Sequence, residues 1–301
     1  MAMHDDELLL DDALARRLII DQFPAWREER IHRVGTNGTV NAIFRIGSGL
    51  AARFPLQPAG ASDLGASLAR EAAALRELAV HCPVASPAPV AVGRPGRGYP
   101  QPWSVQTWIP GDVATPTASE DSGTFARDLV DLIRSFRAAD TKGRRFAGTG
   151  RGGELTDADA WMDVCFRRSG GLLPVDRLRV LWEVFRALPP AGPDVMTHGD
   201  LIPGNLLVAE NRLIGVLDGG GFAAADPSLD LVAAWHHLDA ERREIVRQEL
   251  GCTAIDWRRG AAWAFVQAMG LVWYYRTTNP TMSKLGRSTL SRILDDPGCR
   301  T

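Results

Sequence analysis

Apolar positions along the chain change their period several times, and each change marks a different element. From Asp6 to Gln22 (DELLLDDALARRLIIDQ) leucines and isoleucines recur at helical intervals until Pro24, which predicts an opening helix. Residues 30–55 then carry three short β-favouring runs separated by GTNGT and GSG, a pattern that predicts three antiparallel strands joined by tight turns. Residues 66–80 (ASLAREAAALRELAV) are dense in helix formers, and Pro83, Pro87 and Pro89 close that helix. WSVQTWI (103–109) predicts a buried strand, and PGD (110–112) a turn at which the chain passes from one lobe to the next. Beyond residue 113 the pattern is helical almost to the end, broken by MTHGDLIPGNLL (196–207) and by LLVAENRLIGVLD (206–218). In the latter, two apolar runs flank Glu210, Asn211 and Arg212, which predicts a hairpin whose Asn tolerates a left-handed backbone. The Gly- and Arg-rich stretch 142–153 (KGRRFAGTGRGG) is expected to be a mobile loop. No internal repeat is visible.

At 301 residues the chain is long enough for two lobes, residues 1–109 and 110–301 on this reading. Its 45% hydrophobic and 23% charged residues are ordinary globular composition. A net charge of −2 gives no electrostatic footprint for nucleic acid. Cys82, Cys165, Cys252 and Cys299 lie far apart and form no C-x-x-C pair, so they predict reduced thiols and neither a zinc knuckle nor a disulfide framework. No apolar run approaches the roughly 18–20 residues a membrane span needs, and the start MAMHDDELLL lacks a basic signal-peptide region. The protein is expected in the cytoplasm, away from membranes; nothing in the sequence signals an oligomeric state.

The chemistry concentrates in HGDLIPGN. Asp200 and Asn205 stand five positions apart, and Asp218 follows the short hairpin in LDGGG. A carboxylate that can take a proton, then an amide oxygen and a second carboxylate for a hard cation, suits phosphoryl transfer from a nucleotide. Asp200 would be the base, and Asn205 with Asp218 the Mg2+ ligands. His236 and His237 do not suggest zinc, because adjacent residues on a helix point in different directions. The tryptophans, among them Trp103, Trp108, Trp235, Trp263 and Trp273, are read as core.

The HGDLIPGN segment resembles the H-x-D-x-x-x-x-N catalytic loop of protein kinases, in the H-G-D form of the aminoglycoside phosphotransferase and choline kinase group. The hairpin followed by Asp218 resembles that group's second metal motif, and DPSLDLVAAW (226–235) resembles the tail that follows it. The likeness runs through the helical region ending in WYYRTTNP and covers nearly the whole chain. It implies an α+β, protein-kinase-like two-lobed fold with a small antiparallel-sheet N-lobe and a larger, mainly helical C-lobe. GTNGTVNAIFRIG lies where a kinase has its nucleotide-covering hairpin, which makes Gly35, Thr36, Asn37 and Gly38 nucleotide-binding candidates. It is neither a G-x-G-x-x-G fingerprint nor a Walker loop. Arg53 and Glu71 are placed like the strand cation and helix acid that grip nucleotide phosphates in kinases; Arg replaces the protein-kinase Lys, as it does in this phosphotransferase group. The adenine edge is expected near Gln106, Thr107, Trp108 and Ile109. His198 is expected to structure the loop through hydrogen bonds and Asp230 to support it. Gly219 departs from the family pattern, which usually has an aromatic residue there.

The implied activity is ATP-dependent O-phosphorylation of a small-molecule hydroxyl, with Mg2+ and with GTP as the other possible donor. An antibiotic is the first acceptor class. A metabolic kinase acting on an amino alcohol, sugar or amino acid would share every motif; a non-catalytic pseudokinase would lack the residues found, and a phosphohydrolase would need more metal ligands. Aminoglycosides are polycations that need clustered carboxylates, for which Asp157, Asp159 and Asp163 and then Asp239, Glu241 and Glu244 are the available runs.

Overall fold

The computed structural model describes residues 8–35, 41–58, 61–148 and 150–299. The chain divides into two compact units, Met1–Val80 with Ala85–Pro110, and His81–Val84 with Gly111–Thr301.

The first unit opens with α1 (Asp12–Gln22). This helix is shorter than the apolar spacing suggests, because Asp11 caps it by accepting from the Leu14 N–H. Leu8, one turn upstream in the sequence pattern, instead bonds Leu56 through its N–H at 2.7 Å. The three expected strands are β1 (Ile31–Arg33), β2 (Asn41–Ile46) and β3 (Leu50–Pro55), followed by α2 (Ala61–His81). Two further strands, β4 (Pro89–Gly93) and β5 (Trp103–Thr107), complete a five-stranded antiparallel sheet in the order β1-β2-β3-β5-β4. The Pro-rich passage thus hides an edge strand, where a proline's missing N–H costs no ladder bond. The strand expected over 103–109 stops at Thr107.

One face of this sheet is aromatic. Phe54 stacks on Trp103 at 4.5 Å between ring centroids and meets Phe44 edge-on at 5.7 Å. Leu18 and Ile19 of α1 belong to the same buried cluster. Strand alternation therefore turns Arg53, next to Phe54 in β3, towards the other face.

The second unit begins with β6 (Asp112–Val113), where a turn was expected, and continues through α3 (Gly123–Arg137), α4 (Asp159–Arg168) and α5 (Val175–Arg186). Four short strands follow: β7 (Val195–Thr197), β8 (Leu206–Ala209), β9 (Arg212–Val216) and β10 (Ala223–Ala225). Helices α6 (Val232–His237), α7 (Ala240–Glu249), α8 (Ala254–Tyr274) and α9 (Pro280–Asp295) finish it. Of the acidic run 157–163, Asp159 and Asp163 lie on α4, but Asp157 falls in the 3-10 turn before it. The β8–β9 hairpin closes on Glu210 and Asn211, both left-handed with φ of 49° and 59°. Two consecutive left-handed residues in a two-residue loop match the twist of the strands they join.

A buried ion pair ties α8 to the segment that follows β10. Arg259 of α8 reaches Asp226 at 2.5 Å, with side-chain exposures of only 2% and 4%. The same Asp226 Oδ2 accepts from Trp263 Nε1, and its Oδ1 from the Ser228 N–H, while Arg259 also donates to the carbonyls of Leu188 and Pro189. Trp103, Trp235 and Trp263 are fully buried and Trp257 nearly so, while Trp161 is exposed. Within the stretch 142–153, expected to be mobile, the described residues make anchoring bonds: Arg144 donates to Thr141, the Phe146 N–H to Asp194, and the Asp226 N–H to the carbonyl of Gly152. Among the described residues no helix is long and apolar enough to cross a membrane.

Candidate active site

The HGD segment leaves β7 and the LDGGG segment returns into β10, and these two strands pair antiparallel with Thr197 opposite Ala223. The β8–β9 ladder continues inward to a bond from the Leu217 N–H to the carbonyl of Asn205 at 2.7 Å. Residues 198–204 and 218–222 thus run between two closures, one at each end. Folding this way brings Asp200, Asn205 and Asp218 to one short double segment. Neither β7 nor β10 exceeds three residues, so their alternation gives no signal along the sequence.

His198 bridges the two sides. Its Nε2 donates to the carbonyl of Leu217 at 3.0 Å, which requires the proton on Nε2 and leaves Nδ1 to accept from the Asp200 N–H at 3.3 Å. The ring is buried beside Phe136. Asp230 holds the backbone from below: its two oxygens accept from the N–H groups of His198 and Gly199, each at 2.8 Å. Burial pushes the Asp230 carboxyl above the ordinary carboxylate range, against the opposing pull of His198, the two N–H donors and Arg137. Gly199 between them takes a φ of +81°, a conformation that side chains rarely adopt.

The Asp200 carboxylate is half-buried and takes three side-chain donors. Its Oδ2 accepts from Asn205 Nδ2 at 2.9 Å, and its Oδ1 from Gln267 Nε2 at 2.7 Å and Arg151 Nη2 at 2.9 Å. Asn205 Nδ2 also donates to the Asp200 carbonyl at 2.9 Å, so the amide oxygen is the atom of that side chain left for a cation. Asp218 is left-handed, with φ of 59°, and starts the 3-10 turn Gly219–Gly221, which the Phe222 N–H closes onto the Gly219 carbonyl. The run without the family's usual aromatic residue is therefore a regular turn.

The donor set fits Mg2+ in company with a nucleotide. One carboxylate and one amide oxygen are hard ligands, and Mg2+ characteristically takes one or two carboxylates together with substrate phosphates. Among the described residues no group of three or more His, Cys, Asp or Glu could hold a metal by itself.

In the first unit Arg53 meets Glu71 at 2.7 Å, with side-chain exposures of 13% and 27%, so the pair is half-buried rather than a surface contact. Arg53 sits on the central strand, opposite Ile43 and Ser104. Gln106 pairs with Ala51; Thr107 exchanges bonds with Ala88 through its N–H and its hydroxyl; the Trp108 N–H donates to Gly49, with Arg45 over the indole at 4.9 Å. Ile109 is half-buried, beyond the end of β5. Gly35 is open: a Cβ there would meet nothing within 4 Å. Thr36, Asn37 and Gly38 lie outside the described residues.

Sequence reading did not find Arg151, Gln267 or the histidine behind them. Arg151 Nη1 donates to Gln267 Oε1 at 2.7 Å, and His236 Nε2 donates to the same oxygen at 3.0 Å. The signal that could have flagged Arg151 is the Gly152-Gly153 pair after it. Gly152 has a φ of +119°, and a Cβ there would lie 2.8 Å from the Ala225 side chain.

The chain matches the model of the phosphotransferase enzyme family over residues 21–263. It is 33% identical over 156 residues to an aminoglycoside 3'-phosphotransferase of Escherichia coli, a match covering 45% of this chain and 52% of the relative. An aminoglycoside 3'-phosphotransferase of Salmonella typhimurium is 32% identical over the same length and with the same coverage. The match thus spans about half the length of these curated relatives. In fold the chain is similar to the GDP complex of wild-type aminoglycoside 2'-phosphotransferase-IIIa, with a TM-score of 0.69 and 17% identity over 94% of this chain and 98% of that one. It is also similar to macrolide 2'-phosphotransferase MphH from Brachybacterium faecium, with a TM-score of 0.60 and 21% identity over 93% and 98% of the two chains. The kinase-like α+β fold expected from the sequence is the one these structures share. With four-fifths of its length inside the family match, the chain belongs to the phosphotransferase enzyme family.

Proposed function

We propose that this protein transfers the terminal phosphoryl group of a nucleoside triphosphate, ATP or GTP, to a hydroxyl of a small molecule, and that the acceptor is an antibiotic. The observation that carries the reading is the double closure that holds Asp200, Asn205 and Asp218 within one short segment. Asp200 is the base that orients and deprotonates the acceptor hydroxyl. The Asn205 amide oxygen and Asp218 hold Mg2+, which when bound neutralises phosphate charge. His198 and Asp230 act as positioning residues, and Arg53, steadied by Glu71, grips phosphate oxygens in the first unit. Known relatives support the donor and acceptor classes: one is described with GDP, another as a streptomycin-ATP ternary complex, and others as aminoglycoside or macrolide phosphotransferases.

A second reading, an acceptor with few positive charges, is favoured by how the acidic side chains are used. Asp159 is matched by Arg186 at 2.5 Å, which holds its carboxyl below the usual range. Asp163 faces Arg179 at 3.5 Å, Asp239 faces Arg242 at 3.2 Å and Glu244 faces Arg247 at 3.8 Å. A polycation would have to displace these arginines. Purified protein with Mg-ATP or Mg-GTP is offered kanamycin, streptomycin, a macrolide, and choline as a metabolic alcohol, and products are read by mass spectrometry. A phosphorylated antibiotic, with reduced potency in a sensitive bacterium, is the expected result. Phosphorylation of choline alone would replace the antibiotic reading with a metabolic one.

A further inference from the structure

We infer that Arg151 and Gln267 are positioning residues that clamp the Asp200 carboxylate and leave one acceptor position of its Oδ2 for the incoming hydroxyl. The inference rests on the phosphotransfer reading above and adds residues to its machinery.

An ionised carboxylate has about four acceptor positions in its plane, two on each oxygen. Arg151 Nη2 and Gln267 Nε2 converge on Oδ1, and Asn205 Nδ2 takes one position on Oδ2. The fourth lies on Oδ2, on a side chain that remains 36% exposed. A hydroxyl approaching Asp200 therefore has one in-plane place to go.

The clamp is itself fixed. Gln267 could present either end of its amide to Asp200, and only the NH2 end can donate. Two donors settle the choice, because Arg151 Nη1 and His236 Nε2 both point at Oε1 and fill its two lone pairs. With Oε1 fixed as the acceptor by Arg151, His236 must carry its proton on Nε2, which leaves Nδ1 to accept from the Thr289 hydroxyl at 2.8 Å. The chain of bonds runs from Thr289 on α9 through His236 on α6 and Gln267 on α8 to Asp200, so three packed helices stand behind one carboxylate. Arg151 enters from the loop side, where the Asp226 N–H holds the Gly152 carbonyl at 2.8 Å and only glycine fits at position 152.

Arginine's planar fork spans Asp200 and Gln267 at once, which a lysine ammonium on a flexible stem does not. Loosening the clamp leaves the nucleotide ligands in place but lets the base rotate away from the acceptor. A misplacement of about 1 Å at a reacting group can cost about a hundredfold in rate.

The test uses the whole 301-residue chain, with whichever of kanamycin or a macrolide it phosphorylates. Arg151→Ala and Gln267→Ala are expected to lower kcat by about ten- to a hundredfold while the KM for the nucleotide stays within about twofold. Arg151→Lys stays slow despite its charge, and Gln267→Glu, which keeps the packing but removes the donor, is as slow as Gln267→Ala. Because the clamp acts through Asp200, Arg151→Ala combined with Asp200→Asn is no slower than Asp200→Asn alone. A separate readout needs no activity. In 15N NMR of the wild type, restrained rotation resolves the Arg151 Nη signals, and Asp200→Ala merges them. Resolved signals in a protein that phosphorylates no acceptor would overturn the phosphotransfer reading and leave the clamp standing. Unresolved signals, an unchanged kcat in Arg151→Ala, or fully additive losses in the double variant would overturn the clamp.

Discussion

Asp226 and Asp200 each meet an arginine together with further side-chain N–H donors, Trp263 at the first and Gln267 with Asn205 at the second, yet the two pairs occupy opposite environments. Asp226 and Arg259 are sealed, with 4% and 2% of their side chains exposed, and their ion pair ties loop to helix. Asp200 and Arg151 are 36% and 23% exposed, and the carboxylate keeps a free edge. The same chemistry serves as a rivet where water is excluded and as a tool where one position stays open. Burial, rather than the identity of the partners, separates the two.

Breaking the sealed pair has the largest expected effect. Asp226→Ala leaves the Arg259 guanidinium buried without its counter-charge, a loss of about 3–5 kcal/mol. The helical unit should melt about 10 °C or more below the wild type, as read by calorimetry. A melt within about 2 °C of wild type would show that the pair is not what holds α8.

Breaking the open pair should cost activity and little stability. Asp200→Asn is expected to lower turnover by about two or more powers of ten, with nucleotide affinity by calorimetry unchanged and an unaltered melt. A stability loss as large as that of Asp226→Ala would erase the distinction between the two sites.

Protons probe the sealed interior without mutation. Burial pushes His236 down to about 4 and His237 down to about 3, so both stay neutral in the folded protein at neutral pH. Unfolding returns them to about 6.5, and the unfolded chain then takes up protons first as pH falls. Their contribution is complete above about pH 6.5 and is lost towards pH 4, about 2 kcal/mol for each by pH 5. Chemical denaturation at pH 7.5 and pH 5 measures the loss, and His237→Phe should flatten part of it. An unchanged midpoint at the two pH values would place these rings in contact with water.

The smallest effect is expected at Arg53, which is half-buried in a different unit. Arg53→Ala should lower kcat/KM for the nucleotide roughly tenfold, the size of one charged hydrogen bond, with Glu71→Ala milder. Steady-state kinetics with the nucleotide varied decides it, and an unchanged KM together with an unchanged kcat would return the pair to a purely structural role.

The same contrast explains what could be read in the chain. The core of the candidate site was legible because Asp200, Asn205 and Asp218 fall in one continuous stretch, whose spacing suggests the chemistry proposed for it. Arg53 and Glu71 came only through the family resemblance, which puts a cation on a strand and an acid on the helix after it; the structure pairs them at 2.7 Å. Arg151 and Gln267 stand 49 and 67 positions from Asp200, so no local spacing connects them. Asp226 was visible in DPSLD, but its partner Arg259 lies within a helix whose pattern reads only as apolar. The opening helix was read too long because leucine spacing continued past the Asp11 cap, and tertiary pairing of Leu8 with Leu56 then claimed those residues.

The grip of Asp230 on the HGD backbone also sets a clock. Loop amides ordinarily trade their protons with water quickly, but those of His198 and Gly199 point inward to a buried carboxylate. They can exchange only when the packing around α6 and α8 opens. The segment proposed to face substrate therefore carries two amides whose hydrogen exchange is expected to follow the opening of the helices behind it, so deuterium uptake there should report on the helical unit.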